Sequence, residues 1–167
     1  MVRPDRRKLL ASMAAFASFP QITRAENYID LDWEDLMPEG QTAIPQVFQG
    51  LIDHTGPSLS SEQPESTGVR SEWNGQIVRL PGFIVPFDYS GTGVTTFILV
   101  PFVGACIHVP PPPANQLVLV TTEEPYESAG LFEAVNVIGK FGISSITTHL
   151  AKIGYALSAD HIEPYRA

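Results

Sequence analysis

The sequence predicts a mainly β protein: a small five-stranded OB-like barrel with one short helix, preceded by an extended acidic arm. Three observations lead there. Five short apolar runs follow Trp73, the first of them is interrupted by Pro81-Gly82 as a strongly bent strand would be, and a helix-compatible stretch precedes the last. A chain of 167 residues, 44% hydrophobic and 17% charged, suits one globular domain and argues against both a two-domain enzyme and a disordered chain.

The elements follow in order. Gln76–Asp88 is long and β-branched and gives the first strand, and Ser90-Gly91-Thr92-Gly93 is a turn. Thr95–Phe102 is a second, buried strand, Gln116–Thr122 a third and Gly130–Gly142 a fourth. Ser144–Lys152 is expected to form the short helix, and Gly154–Tyr165 the closing strand. Glu123-Glu124 before Pro125 reads as a turn. A β-sandwich is the alternative architecture. Closure is preferred because short strands otherwise leave reactive edges.

Residues 26–72 form the arm and linker, and 73–167 the barrel domain. In the arm, Ile29, Leu31 and Trp33 alternate with acids, which suits a short segment that docks its Trp on the domain. Ile44–Ile52 has approximate helical spacing, and Gly56–Glu72 has the composition of a flexible link.

Residues 1–25 have the three-part plan of a secretory signal peptide: Arg3, Arg6, Arg7 and Lys8, then the apolar run Leu9–Phe19, then a polar stretch ending at Ala25. Arg6-Arg7 followed by Lys8-Leu9-Leu10 resembles a twin-arginine (Tat) signal, with an ordinary Sec signal as the alternative. Either route predicts a periplasmic protein with no membrane insertion once the signal is removed. Five of the ten bases lie in residues 1–25 but only one of the eighteen acids, so the remainder carries 5 − 17 = −12. Such a body repels phosphate backbones and anionic lipid and attracts cations, so no nucleic-acid partner is expected.

The chemistry concentrates between the second and third strands, in Gly104-Ala105-Cys106-Ile107-His108-Val109-Pro110-Pro111-Pro112-Pro113-Ala114-Asn115-Gln116. Residues two apart in an extended segment share a face, so Cys106 and His108 project together. Thiolate and imidazole suit zinc or another transition metal. Two ligands leave the site incomplete. His149 is the possible additional ligand, with His54, His161 or an acid as other sources. The prolines form a stiff frame. A lone thiol in an oxidising compartment is a liability unless it is buried, bound to metal or deliberately reactive. Two other readings stay open: a buried Cys106 beside a hydrogen-bonded His108, and Cys106 as a nucleophile with His108 as its base. The cluster Asp30, Asp32, Glu34, Asp35 lacks the glycine and distal Glu of a calcium loop and reads as a solvated face. The tetraproline run lacks the flanking base of a groove-docking motif.

The string Phe97 to Gln116, together with Trp33–Pro38, Val78–Phe83 and Gly154-Tyr155, resembles the hallmark of a bacterial exported family catalogued as domain of unknown function 3299. The resemblance spans nearly all of the chain after residue 25. Members often accompany ABC-transporter components linked to metal uptake, which implies a periplasmic accessory that binds a transition metal, zinc first, and partners an ABC transporter component or a periplasmic metal-binding protein. The family brings no catalytic residues, and Cys106 and His108 are the residues in its motif able to bind metal. The expectation is therefore not an enzyme. A metal-free OB-type interaction module is the alternative, and a thiol-dependent enzyme the third.

Overall fold

The structure, a computed structural model, describes residues 27–40, 63–66, 68–90, 93–103 and 111–166. The segments expected as a signal peptide and as a helix at Ile44–Ile52 lie outside the described residues, as do Cys106, His108 and His54. The described strands are β1 (Ile29–Asp30), β2 (Ile77–Ser90), β3 (Gly93–Val100), β4 (Val118–Tyr126), β5 (Ala134–Thr147) and β6 (Lys152–Pro164).

The last five close into a barrel. β2 pairs with β3, β3 with β4, β4 with β6, β6 with β5, and β5 returns to β2, with only the β4–β6 pair parallel. Closure depends on β2 serving two neighbours. Its first half, Ile77–Phe83, pairs with β5, and its second half from Phe83 onward pairs with β3. The changeover sits at Pro81-Gly82, where a Cβ on Gly82 would lie 2.7 Å from Leu99 Cγ and 3.0 Å from the Val100 carbonyl oxygen. Glycine lets β2 bend against β3 at that point. The register shifts fall further along, between Pro86 and Tyr89. The bend at Pro81-Gly82 and the bulge are thus separate features.

The core follows the period of two. Phe97 and Leu99, Val118 and Val120, and Val135 and Val137 point into one barrel cluster with Leu80, Phe141, Tyr155 and Leu157. Each fully buried side chain of this size contributes roughly 1.5–3 kcal/mol. Ile98 and Val100 alternate with Phe97 and Leu99, so they face outward. There they form a second cluster with Val85, Leu117, Ala151 and Ile153, flanked by Phe83, Phe102, Leu119, Phe132 and Leu150. The face of β3 and β4 that OB barrels use to bind oligonucleotides is here filled by the protein's own apolar side chains.

The arm is part of this body. β1 runs parallel to the start of β2, on the side that β3 does not reach, with Ile29 opposite Val78 and Asp30 opposite Arg79. Leu31 and Leu36 are buried in the barrel cluster, and Trp33 packs against it while its indole N–H donates to the Pro81 carbonyl at 2.7 Å. The expected docking of Trp33 is what the structure has.

Two local expectations are corrected. The short helix over Ser144–Lys152 does not form: Ser144–Thr147 completes β5, and β6 begins at Lys152. β-Branched Ile143, Ile146 and Thr147 favour the strand, and Ile146 and Thr147 pair with Ile153 and Lys152. Thr148 then makes the reversal, its hydroxyl accepting from the N–H groups of Leu150 and Ala151 and donating to the Ala151 carbonyl. The only helical turns among the described residues are 3₁₀, at Trp33–Leu36 and Ala114–Gln116. Glu123-Glu124-Pro125 is not a turn either but the exposed end of β4, which runs to Tyr126. The reversal comes later, in 127–133, around the Glu133 carboxylate, which accepts from Tyr126 Oη (2.9 Å), Ser128 Oγ (2.8 Å) and the Ala129 N–H (2.6 Å).

Burial, and then its hydrogen bond to Glu133, push the Tyr126 hydroxyl from 10.0 up to about 12. A folded-state value above the unfolded one adds stability that is complete below pH 10 and is lost as pH rises toward 12. Tyr126→Phe should flatten this alkaline decline in urea-unfolding free energy, and an equal decline in both proteins would refute the assignment. A Cβ at Gly139 would overlap the Ser158 carbonyl oxygen across the β5–β6 bulge. Gly139→Ala should therefore cost about 3 kcal/mol, read as a lower melting temperature, because backbone rather than a flexible side chain must move.

Candidate functional site

The segment that carries Cys106 and His108 leaves the barrel after β3 and returns before β4. Its outgoing foot is Pro101-Phe102-Val103, with Phe102 packed on the outer apolar cluster. Its returning foot runs from Pro111 into the 3₁₀ turn Ala114–Gln116.

The returning foot is held by amide side chains. Asn115 and Gln116 are the only buried polar residues described, at 3% and 5% exposure, and a buried amide is costly unless bonded. Asn115 Nδ2 donates to the Gly68 carbonyl at 3.0 Å, and Gln116 Nε2 to the carbonyls of Trp33 at 2.9 Å and Asn115 at 3.1 Å. From the other side, Gln63 Nε2 donates to the carbonyls of Pro112 and Lys152, both at 2.8 Å, while its Oε1 accepts the Lys152 N–H at 2.7 Å. Gln63 thus acts as a one-residue strand on β6 and ties it to the proline run. No buried side-chain nitrogen or oxygen among the described residues lacks a partner.

Gly154 and Tyr155 complete the base. A Cβ on Gly154 would stand 2.6 Å from the Ala114 carbonyl oxygen, so only glycine lets β6 approach the 3₁₀ turn this closely. The buried Tyr155 hydroxyl donates to the Leu36 carbonyl at 2.8 Å and accepts the Arg70 N–H at 2.6 Å. Its acidity is pushed down, its pKa raised, by burial first. One phenol therefore joins the arm and the stretch before β2 to the last strand.

The sequence-predicted residues fare differently. His149 stands exposed in the turn between β5 and β6, its ring centroid 5.2 Å from that of Phe87. The neighbouring Leu150 packs on the same outer cluster as Phe102, at the outgoing foot. His161 lies toward the far end of β6, opposite Ile138 and about 23 Å along the strand from Gly154 at the usual rise. Asp30 pairs with Arg79 at 2.6 Å, and Asp35 accepts the Asp32 N–H at 2.9 Å. Among the described residues no three His, Cys, Asp or Glu side chains gather as a metal-binding group. Gln63 was missed by the sequence reading, since nothing marks a glutamine in a polar stretch. Asn115, Gln116 and Gly154-Tyr155 carried a signal, being part of the hallmark pattern.

A family model described as "Protein of unknown function (DUF3299)" matches residues 33–164. The chain belongs to the DUF3299 family. The match runs from Trp33, whose carbonyl takes the Gln116 amide, to the end of β6. A crystal structure of a DUF3299 family protein from Pseudomonas aeruginosa PAO1 is similar, with 35% sequence identity over 84% of this chain and 97% of that chain and a TM-score of 0.70. No curated protein matches the sequence. The DUF3299 pattern thus gathers at one base: Trp33 on the arm, Asn115-Gln116 beside the prolines, and Gly154-Tyr155 on β6.

Tyr155→Phe should leave the Leu36 carbonyl and the Arg70 N–H without their partner and cost about 2 kcal/mol. Amide exchange at Arg70 should quicken with it. Wild-type exchange at Arg70 in the variant would show that the hydroxyl does not hold this stretch.

Proposed function

We propose that this DUF3299 protein is a periplasmic accessory that binds a transition metal, zinc first, through Cys106 and His108, and supports metal handling or an ABC-type metal uptake system. The observation that carries the reading is the pairing of the chain's only thiol with a histidine two residues on, in a segment whose returning foot is pinned by Gln63, Asn115 and Gln116. A fixed foot lowers the entropy lost when the ligands are ordered around a metal. Two protein ligands leave positions open, which suits transfer to a partner whose own ligands displace these. His149, exposed in the turn between β5 and β6, is the candidate for an additional ligand, and a third ligand still leaves one tetrahedral position open. The signal-like residues 1–25 and the −12 charge of the remainder support the compartment and the attraction of cations.

A metal-free interaction module is the second reading, and the exposed side chains of Ile143 and Ile146 on β5 favour it. The two separate on metal content. Untagged protein from zinc-replete cells should carry about one zinc per chain, as Cys-His sites do, and the Cys106→Ser, His108→Ala double variant should carry far less. Equal zinc in the two would sink the metal reading. His149→Ala should weaken zinc retention against a chelator without abolishing it.

A further inference from the structure

We propose that Asn74 is a modification site, whose amide deamidates through a cyclic imide with the Gly75 nitrogen, and that the closed barrel holds this reaction back until the seam between β2 and β5 opens. The site shares no residue with the proposed metal ligands.

Asn74-Gly75 is the only asparagine followed by glycine in the chain. A glycine in the second position leaves the backbone nitrogen unshielded by any Cβ. In the reaction this nitrogen loses its proton to solvent base and attacks Asn74 Cγ. A Cγ–N bond forms, the Cγ–Nδ2 bond breaks, and the amide nitrogen leaves as ammonia. Water then opens the imide at either carbonyl, to give aspartate or, with one more methylene in the backbone, isoaspartate. Water is the only co-reactant, and it reaches the site because Asn74 and Gly75 are both exposed.

Three features hold the reaction back. The Gly75 N–H donates to the Phe141 carbonyl at 2.8 Å, so β5 engages the nucleophile. Asn74 Oδ1 accepts the Ile143 N–H at 3.2 Å, so the same strand holds the electrophile. The turn keeps the two groups apart. The Gln76 N–H bonds the Trp73 carbonyl at 3.0 Å and Gly75 has a φ of 84°, while Asn74 is not at positive φ, and together these define a type II turn. Its ψ of about +120° at the asparagine points the Gly75 nitrogen away from the side chain. Packing adds nothing, since a Cβ on Gly75 would meet no atom of the described residues within 4 Å. The restraint therefore lasts only as long as the bonds to β5 do.

The two products act differently on the seam. Aspartate keeps an oxygen that accepts the Ile143 N–H. Isoaspartate lengthens the backbone inside the turn and carries Gly75 out of register with Phe141, at the point where the β2–β5 ladder ends.

The test ages the full chain in mildly alkaline buffer, folded and in urea, and follows the tryptic peptide Ser71–Arg79, in which Asn74 is the one asparagine, by mass spectrometry. The unfolded chain should convert to a mixture of aspartyl and isoaspartyl peptides. The folded chain should convert at least about tenfold more slowly, as a reaction gated by local opening does. Across sub-denaturing urea its rate should rise in step with hydrogen exchange at the Gly75 N–H. Exchange at Phe141 should quicken in the folded isoaspartyl form and stay unchanged in Asn74→Asp. Three outcomes overturn the proposal: equal rates in the folded and unfolded chain, aspartyl product without isoaspartyl, or a folded rate that does not follow exchange at Gly75.

Discussion

The double pairing of β2 is the constraint on which the barrel rests. One strand meets β5 with its first half and β3 with its second, and the sheet closes only if the chain bends tightly between them. Gly82 makes that bend sterically possible against Leu99, and Pro81 turns its carbonyl to the Trp33 indole. Closure in turn removes most of the free edges that short strands would present and gives Phe97, Leu99, Phe141 and Tyr155 a common interior.

Around this frame the polar side chains do what the apolar ones cannot, which is to fix irregular backbone. The arm, the stretch before β2 and the returning foot of the Cys106–His108 segment have few ladder partners, so their carbonyls and N–H groups need side chains. Gln63, Asn115, Gln116 and the Tyr155 hydroxyl supply them, each linking residues distant in sequence. Because buried amides must be satisfied, these contacts specify one arrangement rather than merely adding stability.

The barrel was legible in the sequence because its signal is repetitive: alternating Val118–Val120 and Val135–Val137, and glycine at the bend, read without knowledge of partners. The docking of Trp33 was legible for the same reason, as an aromatic in an alternating run. The helix expected over Ser144–Lys152 failed because a short polar run is ambiguous, and its conformation was decided by the partner strand from Lys152 to Tyr155, which local pattern does not contain. Pro125 misled as a turn marker because Tyr126, after it, still finds Val94 across the sheet. The Cys106–His108 pair was visible by residue type, whereas the hold of Gln63 on the proline foot was not, since that bond joins positions 49 apart.

The Tyr155 hydroxyl bond to Leu36 spans 119 residues. It sets an order on folding: β1 and Trp33 meet β2 early, yet the partner of the Leu36 carbonyl arrives only with the last strand. Contacts of such separation carry a large loop-closure cost and slow the search for the native state. Until the C-terminal strand is delivered, the Leu36 end of the arm lacks its Tyr155 partner. Loss of the chain's end therefore acts at its beginning, releasing the arm and, through Gln116, the foot of the loop that carries the thiol.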